Sequence, residues 1–209
     1  MAYKSNMAGE LIKLYSGICI YVFCWFLTTW LLDPTVPYDA VEALNWATNG
    51  EWGSPKNPWL PGAVMLPLVF FDGIPVSLYW YAVHFIAVGT GMVGVWHLAR
   101  DLNQEMRLSW FAVLSLGISG VINFDIIPYN DNYLLVMFWP WMFWLFLRAL
   151  TRSPWWWLPF SAIAGLAVMT KYSSLGFLLF ILLTPALFPS LRRPYVHPAF
   201  WGGCCLALL

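Results

Sequence analysis

The chain has 209 residues, of which 61% are apolar, 19% aromatic and only 10% charged. A soluble globular domain carries about a quarter of its residues as charge, so this composition excludes one. Ten Lys and Arg against ten Asp and Glu leave a formal net charge of zero, which excludes the basic excess that a nucleic-acid surface requires.

What remains is an all-α, polytopic integral membrane protein. About six to seven transmembrane helices are expected, in a single domain over residues 1–209. Leu14 to Leu32 contains no charged residue and is stopped by Asp33 and Pro34, as a first span should be. It is long for the apolar region of a signal peptide, and Leu31, Leu32 and Asp33 make no small-residue cleavage site. Further spans are expected over residues 76–99, 109–124, 133–147, 155–170 and 172–188. Another begins near Ala199 but reaches Leu209 too soon to cross, so the chain reads as C-terminally shortened.

If each segment crosses, Lys4, Lys13, Arg100, Arg107, Arg148, Arg152, Arg192 and Arg193 share one side. The positive-inside rule makes that side cytoplasmic, together with the N-terminus. The opposite side collects Asp33, Asp39, Glu42, Glu51, Asp72, Asp125 and Asp131, with only Lys56 and Lys171 as bases. Trp155, Trp156 and Trp157 beside Arg152 read as part of an interfacial aromatic belt. Cys19, Cys24, Cys204 and Cys205 lie in apolar runs without metal-ligand spacing and read as small packing residues.

The longest connection, residues 33–75, is expected to form interfacial helices at the outer surface. Residues 38–49 read as a short helix preceded by Pro37 and stopped by Asn49 and Gly50. Asp39 and Glu42, at i and i+3, share a face with Trp46 beyond them. Two readings of these carboxylates stay open: a solvated polar face, or a pair serving as base, metal ligand or cation holder. Residues 57–71 hold Pro58, Pro61 and Pro67. They fit a helix lying along the interface better than a crossing, which would invert the charge sidedness of everything after it. Lys56 stands at the start of this piece.

Asn123, Asp125, Asn130, Asp131 and Asn132 cluster before the fourth span, and Lys171 with Tyr172 follows the fifth. Ionisable groups near hydrocarbon usually face one another or a wet cavity. Their occurrence on the side of Asp39, Glu42 and Lys56 favours one shared cavity over plain headgroup-level charges. His97, near the inner end of the second span, reads as interfacial; His84, on the same span, has no evident role.

Three segments then carry a family resemblance. They are Tyr38, Asp39, Ala40, Val41 and Glu42, continuing through Asn49, Gly50, Glu51 and Trp52 to Lys56, Asn57, Pro58 and Trp59; then Asn130, Asp131, Asn132 and Tyr133; then Gly165 to Ala167 leading to Lys171 and Tyr172. In order and spacing this resembles the GT-C glycosyltransferases of the dolichyl-phosphate-mannose protein mannosyltransferase-like superfamily, including the bacterial lipid A aminoarabinose transferase group, over about residues 10–185. The resemblance implies a plasma (inner) membrane enzyme for cell-envelope biogenesis. It would transfer a sugar, with inversion, from a polyprenyl-phosphate-linked donor to an envelope lipid or glycan on the periplasmic face.

By the same resemblance Asp39 is the catalytic base. Glu42 orients it or raises its pKa by like-charge proximity. Lys56 and Lys171 are the cations available to the leaving phosphate. Asn57, Asn130, Asp131 and Tyr172 complete the expected substrate contacts. No cofactor is implied with certainty, and a divalent metal is an option that the family leaves open. Membrane lipids and the lipid-linked donor are the expected partners. Rival readings are a polyprenyl-lipid transporter or flippase subunit, which calls for polar residues at mid-span depth, and an inactive membrane scaffold.

Overall fold

A computed structural model describes residues 2–55, 57–124 and 127–207. Its regular structure is helical: α1 (Ala2–Leu32), α2 (Tyr38–Asn49), α3 (Leu60–Phe70), α4 (Val76–Asn103), α5 (Met106–Gly117), α6 (Gly120–Asn123), α7 (Tyr133–Thr151), α8 (Trp157–Thr170), α9 (Ser174–Leu187) and α10 (Pro198–Ala207). Short 3-10 turns join several of them, and one isolated bridge pairs Gly53 with Pro58.

Among the described residues three helical segments are long and apolar enough to cross a membrane: Ala8–Leu32, Val76–Asn103 and Tyr133–Thr151. A fourth is added if Ser174–Leu187 and Pro189–Val196, bent by 106°, count as one crossing. That is fewer than the six to seven expected, and helix length is the reason. The 12 residues of α5 and 14 of α8 extend about 18 and 21 Å at 1.5 Å per residue, against a hydrocarbon core of about 30 Å. The expected continuous span over residues 109–124 is broken, because α5 stops at Gly117 and α6 starts afresh at Gly120.

The helices nevertheless alternate between two ends. Leu14 and Ile18 of α1 pack with Val88, Met92 and Trp96 of α4. At the same level as one another, Trp80 meets the ring of Tyr133 at 5.2 Å and Asp101 pairs with Arg148, so α4 and α7 run parallel. Their separation is set by small residues. A Cβ at Gly91 would stand 2.2 Å from the Val136 carbonyl oxygen, and one at Gly94 3.0 Å from the Trp141 ring. α8 and α10 also run side by side in the same direction, with Gly203 against Ser161 and Gly165 against Ala207.

The loop after α1 folds into the helix pair that its composition suggested. α2 begins after Pro37 and ends at Gly50, whose φ of 65° lies in the left-handed region. Beyond that turn the Glu51 N–H donates to the Trp46 carbonyl at 2.9 Å, the termination that glycine permits. Ala40 and Ala43 are fully buried, and Gly62 of α3 sits under Trp46 and Ala43. α3 starts one residue before Pro61 and is tied to α4 by the Tyr79 hydroxyl donating to the Val64 carbonyl at 2.7 Å. Met65, Trp80, Tyr81, Tyr133 and Leu134 fill the space beneath this pair. α2 is thereby fixed at the end of the bundle where α4 and α7 begin.

Gly91→Ala is expected to destabilise the bundle by roughly 1–3 kcal/mol, the usual range for overpacking, because a backbone carbonyl rather than a flexible side-chain tip occupies the space. Thermal unfolding in detergent checks this. Gly176→Ala, where nothing lies within 4 Å, is the matched control and leaves the midpoint unchanged.

Candidate active site

Asp131 is the hub of a polar network at this end of the bundle. It stands just before the first turn of α7 and is 2% exposed. Its Oδ1 accepts from Nζ of Lys171 at 2.9 Å, and its Oδ2 accepts from Nδ2 of Asn57 at 2.6 Å. Lys171, immediately after α8, also donates to Oδ1 of Asn132 at 2.7 Å. The backbone N–H of Asp131 donates to Oδ2 of Asp39 at 3.3 Å. The first turn of α2, the loop before α3 and the end of α8 therefore converge on one residue at the head of α7, the first through its backbone N–H and the others through its carboxylate.

Local sequence explains each placement. Asp39 lies in the first turn of α2, where the helix dipole favours a negative charge. Asn130 to Asn132 form a tight turn in which Oδ1 of Asn130 accepts from the Asn132 N–H at 2.9 Å, the local bond that asparagine is suited to make. Lys171 is extended at the end of α8, behind fully buried Thr170. Asn57 is positioned by Ser54, whose N–H donates to the Asn57 carbonyl at 2.7 Å and whose Oγ accepts from the Asn57 N–H at 3.1 Å.

A second set of contacts holds the turn that delivers Asp131. Nε1 of Trp80 donates to the Pro128 carbonyl at 2.8 Å, and the Tyr129 hydroxyl donates to Oδ2 of Asp33 at 2.9 Å. The Thr35 hydroxyl and its N–H donate to Oδ1 of Asp33. The Thr35 hydroxyl bond, opposed by partial burial and helped by Tyr129, holds the Asp33 carboxyl below its ordinary value of 3.8.

The expected site residues thus divide. Asp39, Asn57, Asp131 and Lys171 are brought together, and Asn130 lies in the adjoining turn. Glu42 stands half-buried beside Asp39 on α2 without a side-chain hydrogen bond or ion pair among the described residues. Tyr172 is 47% exposed next to Lys171. Lys56 and Asp125 lie outside the described residues. His84 is buried elsewhere, its Nε2 bonded to the Ile122 carbonyl at 3.2 Å.

Asn132, absent from the expected contacts, is the second acceptor for Lys171. Its place in the Asn130, Asp131, Asn132 run was the available signal. Also unforeseen is an apolar cavity of about 620 Å³ that starts at Asn132, Lys171 and Ser173 and runs along α7 past Val136 and Trp139 to Phe143. Lys171 is thus part of the wall of a largely hydrocarbon-lined groove.

No group of three or more His, Cys, Asp or Glu gathers among the described residues, and both Asp131 oxygens are already engaged by Lys171 and Asn57.

The sequence model described as dolichyl-phosphate-mannose-protein mannosyltransferase matches residues 63–209. This segment contains Asn130, Asp131, Lys171 and Tyr172, and starts after Asp39, Glu42 and Asn57. No curated protein and no solved structure matches the chain.

Lys171→Met is expected to cost about 3–5 kcal/mol, the usual effect of leaving a buried charge without its partner. Adding Asp131→Asn should return part of that loss, as thermal unfolding of the two variants in detergent will show. For Asp33 the lowered folded pKa means that its contribution to stability is whole above about pH 4 and is lost as pH falls through the lowered value. In Thr35→Ala the Asp33 carboxyl should titrate closer to 3.8, read by carbon-detected NMR.

Proposed function

The chain belongs to the dolichyl-phosphate-mannose-protein mannosyltransferase family of GT-C-like membrane glycosyltransferases, and on that premise we propose that it transfers a sugar from a polyprenyl phosphate to an acceptor hydroxyl at the Asp39–Asp131 end of the bundle. The observation that carries this reading is the junction of three features. A half-buried carboxylate, Asp39, accepts from the Asp131 N–H; an ammonium, Lys171, is paired with the Asp131 carboxylate; and Lys171 also lines an apolar groove. A lipid-linked sugar phosphate has the complementary sequence of parts: isoprenoid chain, anion, sugar.

In the proposed reaction the acceptor oxygen attacks the anomeric carbon from the face opposite the phosphate. The bond between that carbon and the phosphate oxygen breaks, and the phosphate leaves with the electron pair. The acceptor proton passes to Asp39, whose Oδ1 is the oxygen not engaged by the Asp131 N–H. Inversion follows from attack and departure on opposite faces. Lys171 keeps two N–H bonds to Asp131 and Asn132, and the third points of contact that an ammonium has serve the departing phosphate. Asp131 and Asn57 act as positioning residues, holding Lys171 and the turn against α2. Glu42, one turn along α2 from Asp39, faces the acceptor side.

Sidedness is part of the proposal. Arg100, Arg148 and Arg152 lie at the end of α4 and α7 opposite Asp39, which supports a cytoplasmic location for that end. The Asp39 end is then periplasmic, in the plasma membrane, and the acceptor is an envelope lipid or glycan. The transport reading is less well supported. The Asp131 network gathers at helix ends, whereas a transport pathway needs polar groups at mid-span depth.

Asp39→Asn should reduce transfer by about 10²–10⁴-fold, the range of a general base, while membrane insertion and yield stay unchanged. The assay is glycosyl transfer in proteoliposomes from a panel of polyprenyl-phosphate sugars. A variant that retains full activity removes Asp39 from the role of base.

A further inference from the structure

The far end of α7 carries a second polar cavity, built from loops that the Asp131 network does not use. It has a volume of about 650 Å³ and lies between the turn after α7 and the connection from α9 to α10. Its polar lining includes Arg152, Ser153, Ser190, Arg193 and His197, and no Asp or Glu among the described residues lines it. Neither of these two guanidinium groups has an ion pair or a side-chain hydrogen bond among the described residues. The neighbouring arginines differ: Arg148 is paired with Asp101, and Nε of Arg192 donates to the Pro185 carbonyl at 2.8 Å.

The walls of the cavity are held in place. Nε1 of Trp157 donates to the Pro194 carbonyl at 3.1 Å, and the Tyr195 hydroxyl donates to the Ile181 carbonyl at 2.8 Å. The residues that follow Arg193 are thereby pinned to α8 and α9. On the other side the N–H groups of Arg152 and Ser153 both donate to the Arg148 carbonyl, at 2.9 and 3.2 Å, which ends α7 directly at the cavity. Leu150, Leu191 and Val196 add apolar surface to the same lining. Free guanidinium forks call for an acceptor-rich anion, and phosphate is the one that their geometry matches best. The apolar lining favours a phosphate carried by an amphiphile.

Depth points the same way. α7 is a candidate span whose 19 residues extend about 28 Å, close to the hydrocarbon core of about 30 Å. With the Asp131 network at its head, its last turn reaches the headgroup level of the opposite face. Trp155, beside Arg152, is 62% exposed, and its ring lies 5.4 Å from that of His197, the kind of aromatic residue that marks a membrane–water interface.

We propose that this cavity binds the phosphate of an anionic membrane lipid in the leaflet opposite Asp39, with Arg152 and Arg193 as its cationic contacts. One such lipid ties the α7–α8 turn to the α9–α10 connection. The site takes no part in the transfer reaction and stands whether or not Asp39 is the base.

Native mass spectrometry of the full chain in detergent, titrated with phosphatidylglycerol, with phosphatidylcholine or with inorganic phosphate, tests this. The expected result is one tightly held phosphatidylglycerol, with phosphatidylcholine bound about tenfold more weakly. Arg152→Gln with Arg193→Gln should lower the affinity for phosphatidylglycerol about tenfold to thirtyfold. The pair Lys13→Gln with Arg107→Gln removes the same charge outside the cavity and should leave binding unchanged. Arg193→Gln alone should weaken binding about threefold to fivefold, and it decides the matter if the double variant does not fold. Equal binding of the two lipids, undiminished binding in the cavity variants, or an equal loss in the control pair overturns the proposal. Inorganic phosphate binding as tightly as phosphatidylglycerol overturns the lipid as its source.

Discussion

A single buried carboxylate governs how the pieces of this molecule meet. Asp131 is almost wholly removed from solvent, and a charge in that position is tolerable only with a counter-ion and hydrogen bonds on its remaining lone pairs. Lys171 supplies the first, and the Asn57 amide supplies the second. Because those partners come from the end of α8 and the loop before α3, satisfying one side chain fixes three otherwise separate segments. The Asp131 N–H then reaches Asp39, which links the surface helix α2 to the same point. The carboxylate proposed as the base, Asp39, and the buried charge at Asp131 are therefore distinct groups joined through one peptide N–H.

Beneath that junction the architecture follows from helix length and side-chain size. α4 and α7 run the full height of the bundle and lie close because glycines in α4 face the backbone and rings of α7. The shorter helices pack around this pair without matching its reach. In a bilayer an apolar surface such as that of α1, where Ile20, Phe23 and Leu31 are all more than 60% exposed, has hydrocarbon as its natural neighbour.

Much of the fold was legible in the chain. The boundaries of α2 follow from Pro37 and Gly50, and both were readable because each residue restricts its backbone in a known way. The break between α5 and α6 was masked by hydropathy that continues across it, although Gly117 and the Ser119–Gly120 pair carry the turn signal. For the site, the grouping of Asp39, Asp131 and Lys171 followed from charge sidedness, and Asn57 from the family resemblance. Their pairing did not, because sequence cannot say that Lys171 spends its bonds on Asp131 and Asn132. The groove beside Lys171 was invisible for a related reason: it is made of ordinary apolar residues, and only packing shows where they leave space.

The crossing of α4 and α7 has a further consequence. Pro140 lies inside α7 and has no N–H to offer the Val136 carbonyl four residues earlier. That same carbonyl is the atom that closes on Gly91. The proline vacates an acceptor within the membrane-spanning core, and the glycine lets a neighbouring backbone approach it closely enough for its Cα hydrogens to serve as weak donors. Gly91 and Pro140 thus act on one carbonyl from different helices, the first by leaving room beside it and the second by leaving it without its helical donor.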